Sequence, residues 1–380
     1  MRAPTIVVAD VHLTRYTQPE VTASLARVIE GNAGSRLVIA GDLLDRSAEE
    51  EPASLDELFG RHPSLRRALG EHIGRGAELV LCAGNHDAEL KDDGMRRELA
   101  RVLELDATAT ERLVVSPWIW RSGGLHVEHG HLYDPDNAPA HPLVGDAPSL
   151  GVRFVKDFIA PTRAYAYLNR NDKMPLELFL EAFTRYGVRG PYVVAQYFRT
   201  AFSALAASGP RSIERERREG ESLVASFAER IGLPAEDLAQ LGARAPEPTM
   251  ARLDATFARL YLDRVAATVS LLGAGTLAVL GRRRAAAAAF AFGAVAMLTS
   301  WARSRDRYGG RVVERLVDGA RLVAEVTGAR AVVFGHAHRP ELREGYANPG
   351  SFAFPVGSER TYLRIGGTID APAPELCTAA

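Results

Sequence analysis

Short runs of β-branched and aliphatic residues punctuate the first third of the chain, at 6–9, 37–40 and 79–83, with a helical pattern at 21–30. Each run is almost continuously apolar and ends in a polar cluster. That pattern predicts strands buried on both faces of an α/β sheet. Further strands are expected at 113–120 and 125–129, separated by Ser122-Gly123-Gly124. From about residue 151 the pattern becomes helical, with breaks at 187–191, 208–210 and 245–248. Strand character returns at 331–334 and 362–365. The simplest organisation is one α/β core made of 1–150 and 329–370, interrupted by a helical insertion at 151–328. Residues 371–380 read as a frayed tail.

Two stretches of the insertion, 265–281 and 285–301, are apolar and uncharged, with Arg282-Arg283-Arg284 between them. Each has 17 residues, at the short limit for a helix crossing a bilayer. Together 265–301 form an expected apolar helical hairpin with membrane association as its leading reading and a buried or dimerising hairpin as the alternative. A spanning hairpin would carry three arginines to the far side, against the positive-inside tendency. A shallow one would set them among lipid phosphates. An even number of crossings returns the chain to its starting compartment, so either arrangement keeps the two ends together. The segments 176–183 and 192–205 are rich in aromatic and aliphatic residues. They read first as core and second as a cap or acyl groove.

Hydrophobic residues are 47% of the chain, enough for a substantial core, and the formal net charge of −1 supplies no global field for nucleic acid. Cys82 lies in an apolar run and Cys377 in the tail, which suggests neither a disulfide framework nor a thiolate metal site. The chain enters its first apolar run directly after Met1-Arg2-Ala3-Pro4, and that run is too short for a signal peptide. The expectation is a cytoplasmic active site.

The chemistry lies in five polar clusters, each following an apolar run: Asp10-Val11-His12, Gly41-Asp42-Leu43-Leu44-Asp45-Arg46, Gly84-Asn85-His86-Asp87, His129-Gly130-His131 and Gly335-His336-Ala337-His338. In extended backbone residues i and i+2 point the same way, so Asp10 and His12, or His336 and His338, would share one ion. Carboxylate, amide and imidazole ligands without thiolate suit Mn first, with Fe or Zn as alternatives. Two such ions about 3.5–4 Å apart activate water and clamp a phosphate for in-line displacement. Alone, Asp-x-His is commonplace and Gly-Asn-His-Asp an ordinary turn. The ordered set is not.

As a set the clusters resemble the calcineurin-like metallophosphoesterase superfamily, whose pattern is D-x-H, G-D-x-x-D, G-N-H-D/E, a later H and G-H-x-H. Asn348-Pro349-Gly350-Ser351 resembles a segment of bacterial members. The resemblance covers roughly 5–135 and 329–366 and implies a β-sheet sandwich flanked by helices. It implies two divalent metal ions, the first on Asp10, His12 and His338, the second on Asn85, His129 and His336, with Asp42 bridging. It implies His86 as the general acid, Asp45 as its orienting partner and Arg46 as a holder of phosphate oxygen. Asp87 is left between loop support and catalysis, His131 between site support and structure, and His126, His62, His72 and His141 fit no cluster.

The implied activity is hydrolysis of a phosphoester or pyrophosphate bond by metal-activated hydroxide, on a phosphorylated small molecule or, given the hairpin, a lipid-linked substrate. The His-Gly-His cluster and helical insertion are broadly similar to bacterial UDP-diacylglucosamine pyrophosphatases. Those carry Arg where this chain has His86 and Asp where it has His131. A soluble phosphodiesterase or nuclease, and a catalytically silent scaffold, are the alternatives.

Overall fold

The computed structural model describes residues 4–145, 148–164, 175–302 and 311–379, with side chains at all of these but 93, 175–180 and 212. Among the described residues the strands are β1 (Thr5–Val8), β2 (Arg36–Ala40), β3 (Leu79–Cys82), β4 (Leu113–Ser116), β5 (Trp120–Ser122) and β6 (Leu125–Glu128). Near the C-terminus follow β7 (Ala331–Phe334), β8 (Glu341–Arg343), β9 (Tyr346–Asn348), β10 (Thr361–Gly367) and β11 (Pro372–Thr378). They form a six-stranded sheet, β11-β10-β1-β2-β3-β4, and a five-stranded sheet, β5-β6-β7-β9-β8. β1 to β4 run parallel to one another, as do β6, β7 and β9.

The strands are short because they need only cross a layered core. Val7, Val38, Val80 and Cys82 of the first sheet meet Val127, Val333 and Ala347 of the second in a shared interior. On the other face of the first sheet, Ile6, Val8, Leu37, Ile39 and Leu81 pack against the helices Pro19–Gly31, Pro63–Gly74 and Asp93–Val102. Burial on both faces explains why β1, β3 and β7 read as unbroken apolar runs rather than alternating ones.

The outer face of the second sheet corrects the single-block reading of 151–328. Val332, Phe334 and Tyr346 are covered by Phe227 and Ala228 of helix Pro210–Ile231, Leu238 and Leu241 of helix Ala235–Arg244, and Leu316 and Val323 of helix Arg311–Thr327. A sheet exposing Phe334 and Tyr346 needs that helical layer, so 213–248 and 312–380 belong with 1–156 in one compact unit. The second unit comprises 157–212 and 249–311.

Two other expectations change. The run 113–120 is not one strand: Pro117 ends β4, Ser116 Oγ donates to Ile119 O at 2.6 Å, and Trp120 begins β5 in the other sheet. Nor do the described residues of the expected tail, 371–379, fray. β11 pairs with β10 from Thr361↔Thr378 to Gly367↔Pro372. Its prolines hide it from a propensity reading, yet an edge strand can hold proline where no ladder N–H is required.

In the second unit, helix Gly190–Ala206 buries Val193, Ala201 and Ala204 but leaves Tyr192 and Phe202 exposed, so 192–205 is only partly core. The side chains of 176–180 lie outside the described residues. Helices Leu262–Val279 and Arg283–Ala302 form an antiparallel hairpin. Arg264 Nε donates to Ser300 Oγ at 3.0 Å, and Ser270 Oγ to Ala289 O at 2.8 Å. A Cβ on Gly293 would come within 2.8–2.9 Å of Leu271 and Ala267, so the missing side chain lets the helices approach.

Candidate metal centre

The five clusters converge at the C-terminal ends of β1, β2, β3, β6 and β7, where loops leave parallel strands of both sheets. The loops are not extended. Asp10, His12, Asp42, His336 and His338 all have positive φ, between 45° and 64°. The i, i+2 argument from extended backbone is therefore corrected: the left-handed turns themselves aim the ligands. Such residues cost of order 1–3 kcal/mol each and persist where surrounding contacts fix them. The fixing contacts are present. Asn348 Nδ2 donates to Gly335 O at 2.7 Å, and Ser351 Oγ to Asp10 O at 3.0 Å, so the Asn-Pro-Gly-Ser segment fastens two of these turns.

Glycine provides the close approach. A Cβ at Gly84 would lie 2.0 Å from Asp42 Oδ1, and one at Gly41 would lie 2.4 Å from the His129 ring. Asp87 then ties the second and third loops together. Its carboxylate accepts the N–H groups of Gly84 (2.6 Å), Leu43 (2.7 Å), Asp42 (3.3 Å) and Leu44 (3.3 Å). Burial, then the charge of Asp42, pushes its pKa up to about 7. Its contacts make it a loop-supporting residue.

Asp10, His12 and His338 offer three donor atoms at metal-binding separations. His12 Nε2 and His338 Nε2 lie 3.2 Å apart, and Asp10 Oδ1 lies 3.2 Å from the second and 3.8 Å from the first. Two ligands at about 2.1 Å from a common ion are spaced roughly 3 Å apart. Asp10 Oδ1 is buried and accepts no hydrogen bond, although Oδ2 accepts the His336 N–H at 3.1 Å. A buried carboxylate oxygen without a donor, facing two imidazole nitrogens, fits a cation. Burial alone would raise the pKa of Asp10, but His338 and His12 outweigh it and hold it below the carboxylate range.

A second group comprises Asp10, Asp42 and His129. His129 Nε2 lies 3.1 Å from Asp42 Oδ2 and 3.0 Å from Asn85 Oδ1. Because the Ala40 carbonyl at 2.9 Å can only accept, His129 Nδ1 carries the proton and Nε2 keeps the lone pair that could bind an ion. Asp42 Oδ2 is also 3.8 Å from His12 Nε2, the placement of a carboxylate shared between two sites. His336 joins less directly: its ring lies 5.1 Å from that of His129, while its Nε2 meets Asp134 Oδ2 at 3.0 Å. That contact engages Nε2 and leaves Nδ1 as the ring nitrogen that could turn to an ion. Asp134 was invisible as a motif and is fixed in turn by Asn137 Nδ2 at 2.8 Å.

Asp45 serves two histidines. Oδ1 accepts from His86 Nδ1 at 2.9 Å, as expected, and Oδ2 from His12 Nδ1 at 3.2 Å, which the sequence did not indicate. Burial lowers the pKa of His86, but Asp45 and Asp42 outweigh it and hold it above its ordinary value. Arg46 is half-buried, with Nη1 donating to Glu89 at 3.1 Å. Phe354, another residue without a motif, stacks beside His338 at 5.8 Å.

Elsewhere, His126 Nε2 and Trp118 Nε1 donate to the buried Glu128, a structural cluster, and His62 contacts Thr22 and the Thr14 carbonyl.

A family model described as calcineurin-like phosphoesterase matches residues 3–190. The chain belongs to that superfamily. It is a metal-dependent phosphoesterase, a hydrolase. The match ends well before β7, so His336 and His338 join the phosphoesterase centre through folding. No curated protein matches the chain.

Proposed function

We propose that this phosphoesterase cleaves a phosphoester or pyrophosphate bond of a membrane-associated or lipid-linked substrate, and that the hairpin attaches it to the bilayer. The observation carrying the membrane part is the hairpin's outward face. Leu272 is 70% exposed, Phe292 65% and Leu298 67%, while Ala267, Ala274 and Gly293 line the inside. Water-facing helices normally show the reverse. Their 18 and 20 residues give lengths of about 27–30 Å, near the thickness of a hydrocarbon core.

At the centre, Asp10, His12 and His338 would hold one ion, Asn85, His129 and His336 the other, with Asp42 between them. Bound divalent ions, with Mn as the leading candidate, supply Lewis-acid polarisation of the phosphoryl oxygens and a more acidic water. His86 donates its proton to the leaving oxygen, held in position by Asp45. Arg46 meets a phosphoryl oxygen through its planar fork.

Flotation of the full chain with phosphatidylethanolamine–phosphatidylglycerol vesicles tests the membrane part, with the protein expected in the lipid fraction even at high salt. A protein that stays in the dense fraction, while hydrolysing bis(p-nitrophenyl) phosphate with Mn²⁺, would be the soluble phosphodiesterase instead.

A further inference from the structure

A cleft of about 370 Å³ shares Asn85 and His86 with the metal centre and is also lined by Arg46, Lys91, His131 and Lys156. Its size suits a small polar group with part of a ligand attached. The charge is one-sided: three basic side chains line it against one carboxylate, Glu89, which is paired with Arg46. Lys91 Nζ donates to the Val144 carbonyl at 2.9 Å, and an ammonium has two further N–H bonds to give. The Nε of Arg46 is buried and makes no hydrogen bond. His131 is 5% exposed, and its Nδ1 is likewise buried without a partner. Buried polar nitrogens left without a partner are costly unless a ligand completes them.

None of these four belongs to the ligand set around Asp42. A substrate with a single phosphorus, held at the metal centre and met by Arg46, would leave Lys91 and His131 unanswered. We infer that Lys91 and His131 form a second anion subsite, next to Arg46, that holds a non-reacting phosphoryl group, so that the substrate is a diphosphate diester. The inference rests on the hydrolase reading above and narrows its substrate class. In the cleavage, a water oxygen held where the metal ligands converge would bond to one phosphorus as its bond to the bridging oxygen breaks; the second phosphate would leave with the His86 proton, and the proton given up by the water would restore His86. The products are two phosphate monoesters.

The test compares two substrates on the Mn²⁺-loaded full chain: bis(p-nitrophenyl) phosphate, with one phosphorus, and diadenosine diphosphate, with two. Lys91→Met is expected to lower the ratio of kcat/KM, diphosphate over phosphodiester, by about tenfold or more, chiefly through KM, as loss of a charged hydrogen bond implies. Lys91→Arg restores most of that ratio, and thermal melting with metal analysis shows that both variants fold and load. Equal losses on both substrates, or no loss on either, overturn the subsite. So does a wild-type enzyme that cleaves the phosphodiester and leaves the diphosphate intact, although the hydrolase reading survives that result. Cleavage of neither substrate removes the hydrolase reading and the subsite with it.

Discussion

The sandwich strands and the apolar hairpin are built from the same kinds of residue and place them oppositely. Val7, Val38, Val80 and Val333 are fully buried between the sheets, whereas Val269, Leu272, Val279 and Leu298 face outward. Polar groups reverse as well. Around the metal centre Asp10, Asp42 and His129 are buried and surrounded by partners, while the arginines at the hairpin turn are exposed. Apolar content alone therefore separates nothing. In the core it pays for closing loops over charged ligands; in the hairpin most of it is uncovered among the described residues, the observation on which the proposed lipid contact rests.

The comparison breaks most sharply at Asp42. Its Oδ2 faces His129 and His12, and its Oδ1 accepts the His86 N–H at 2.9 Å. Asp42→Ala removes a charge shared by two sites and should lower kcat/KM by about 10³-fold or more, with loss of bound metal. Metal analysis beside the kinetics is the check. Metal content equal to wild type would mean that Asp42 does not bridge. The hairpin is untouched by this change, so vesicle flotation should persist.

What the sequence made legible follows from distance along the chain. Each ligand cluster sits directly after an apolar run, so five strand ends and the polar residues that follow them could be read by spacing, from Asp10 to His338. Partners without a motif could not. Asp134 meets His336 across 202 residues, and one aspartate in a polar stretch carries no periodic signal. Lys91 and Phe354 are equally plain in sequence and acquire meaning only from the cleft and the His338 ring. Short-range rules also misjudged the turns. Asp-x-His suggests extended backbone, but the loops are left-handed because Asn348 and Ser351, far along the chain, hold them so. The split of 113–120 between two sheets is a tertiary choice, marked locally by Pro117 alone.

The opposite side of the comparison is tested by charging the hairpin. Leu272→Glu combined with Leu298→Glu puts two carboxylates on faces that are already exposed. A charge at mid-bilayer depth costs about 2.5–3.5 kcal/mol, so vesicle partitioning should fall by about 100-fold or more. Water-facing positions tolerate such changes within about 0.5 kcal/mol, so the melting temperature in detergent-free buffer should hold. A collapse of thermal stability with unchanged flotation would make the hairpin a packing element rather than a lipid contact.

The smallest effect is a pH dependence in the cleft. Burial pushes the pKa of Lys91 down to about 8, against the opposing charges of Glu216 and Asp87. His131 is held well below its ordinary value and His141 at about 4, both chiefly by burial, so neither changes charge between pH 7 and 9. Asp87, at about 7, completes its ionisation early in that interval, and Arg46 and Glu89 form a pair across it. Below pH 8 the Lys91 ammonium is charged; above it the charge is lost. The diphosphate preference should therefore weaken by roughly tenfold between pH 7 and 9, as expected for one group titrating at the midpoint. Lys91→Arg keeps its charge throughout, so dividing by its profile cancels changes in metal, water and substrate ionisation. Parallel profiles for the two proteins would show that the lysine charge does not reach the bound diphosphate.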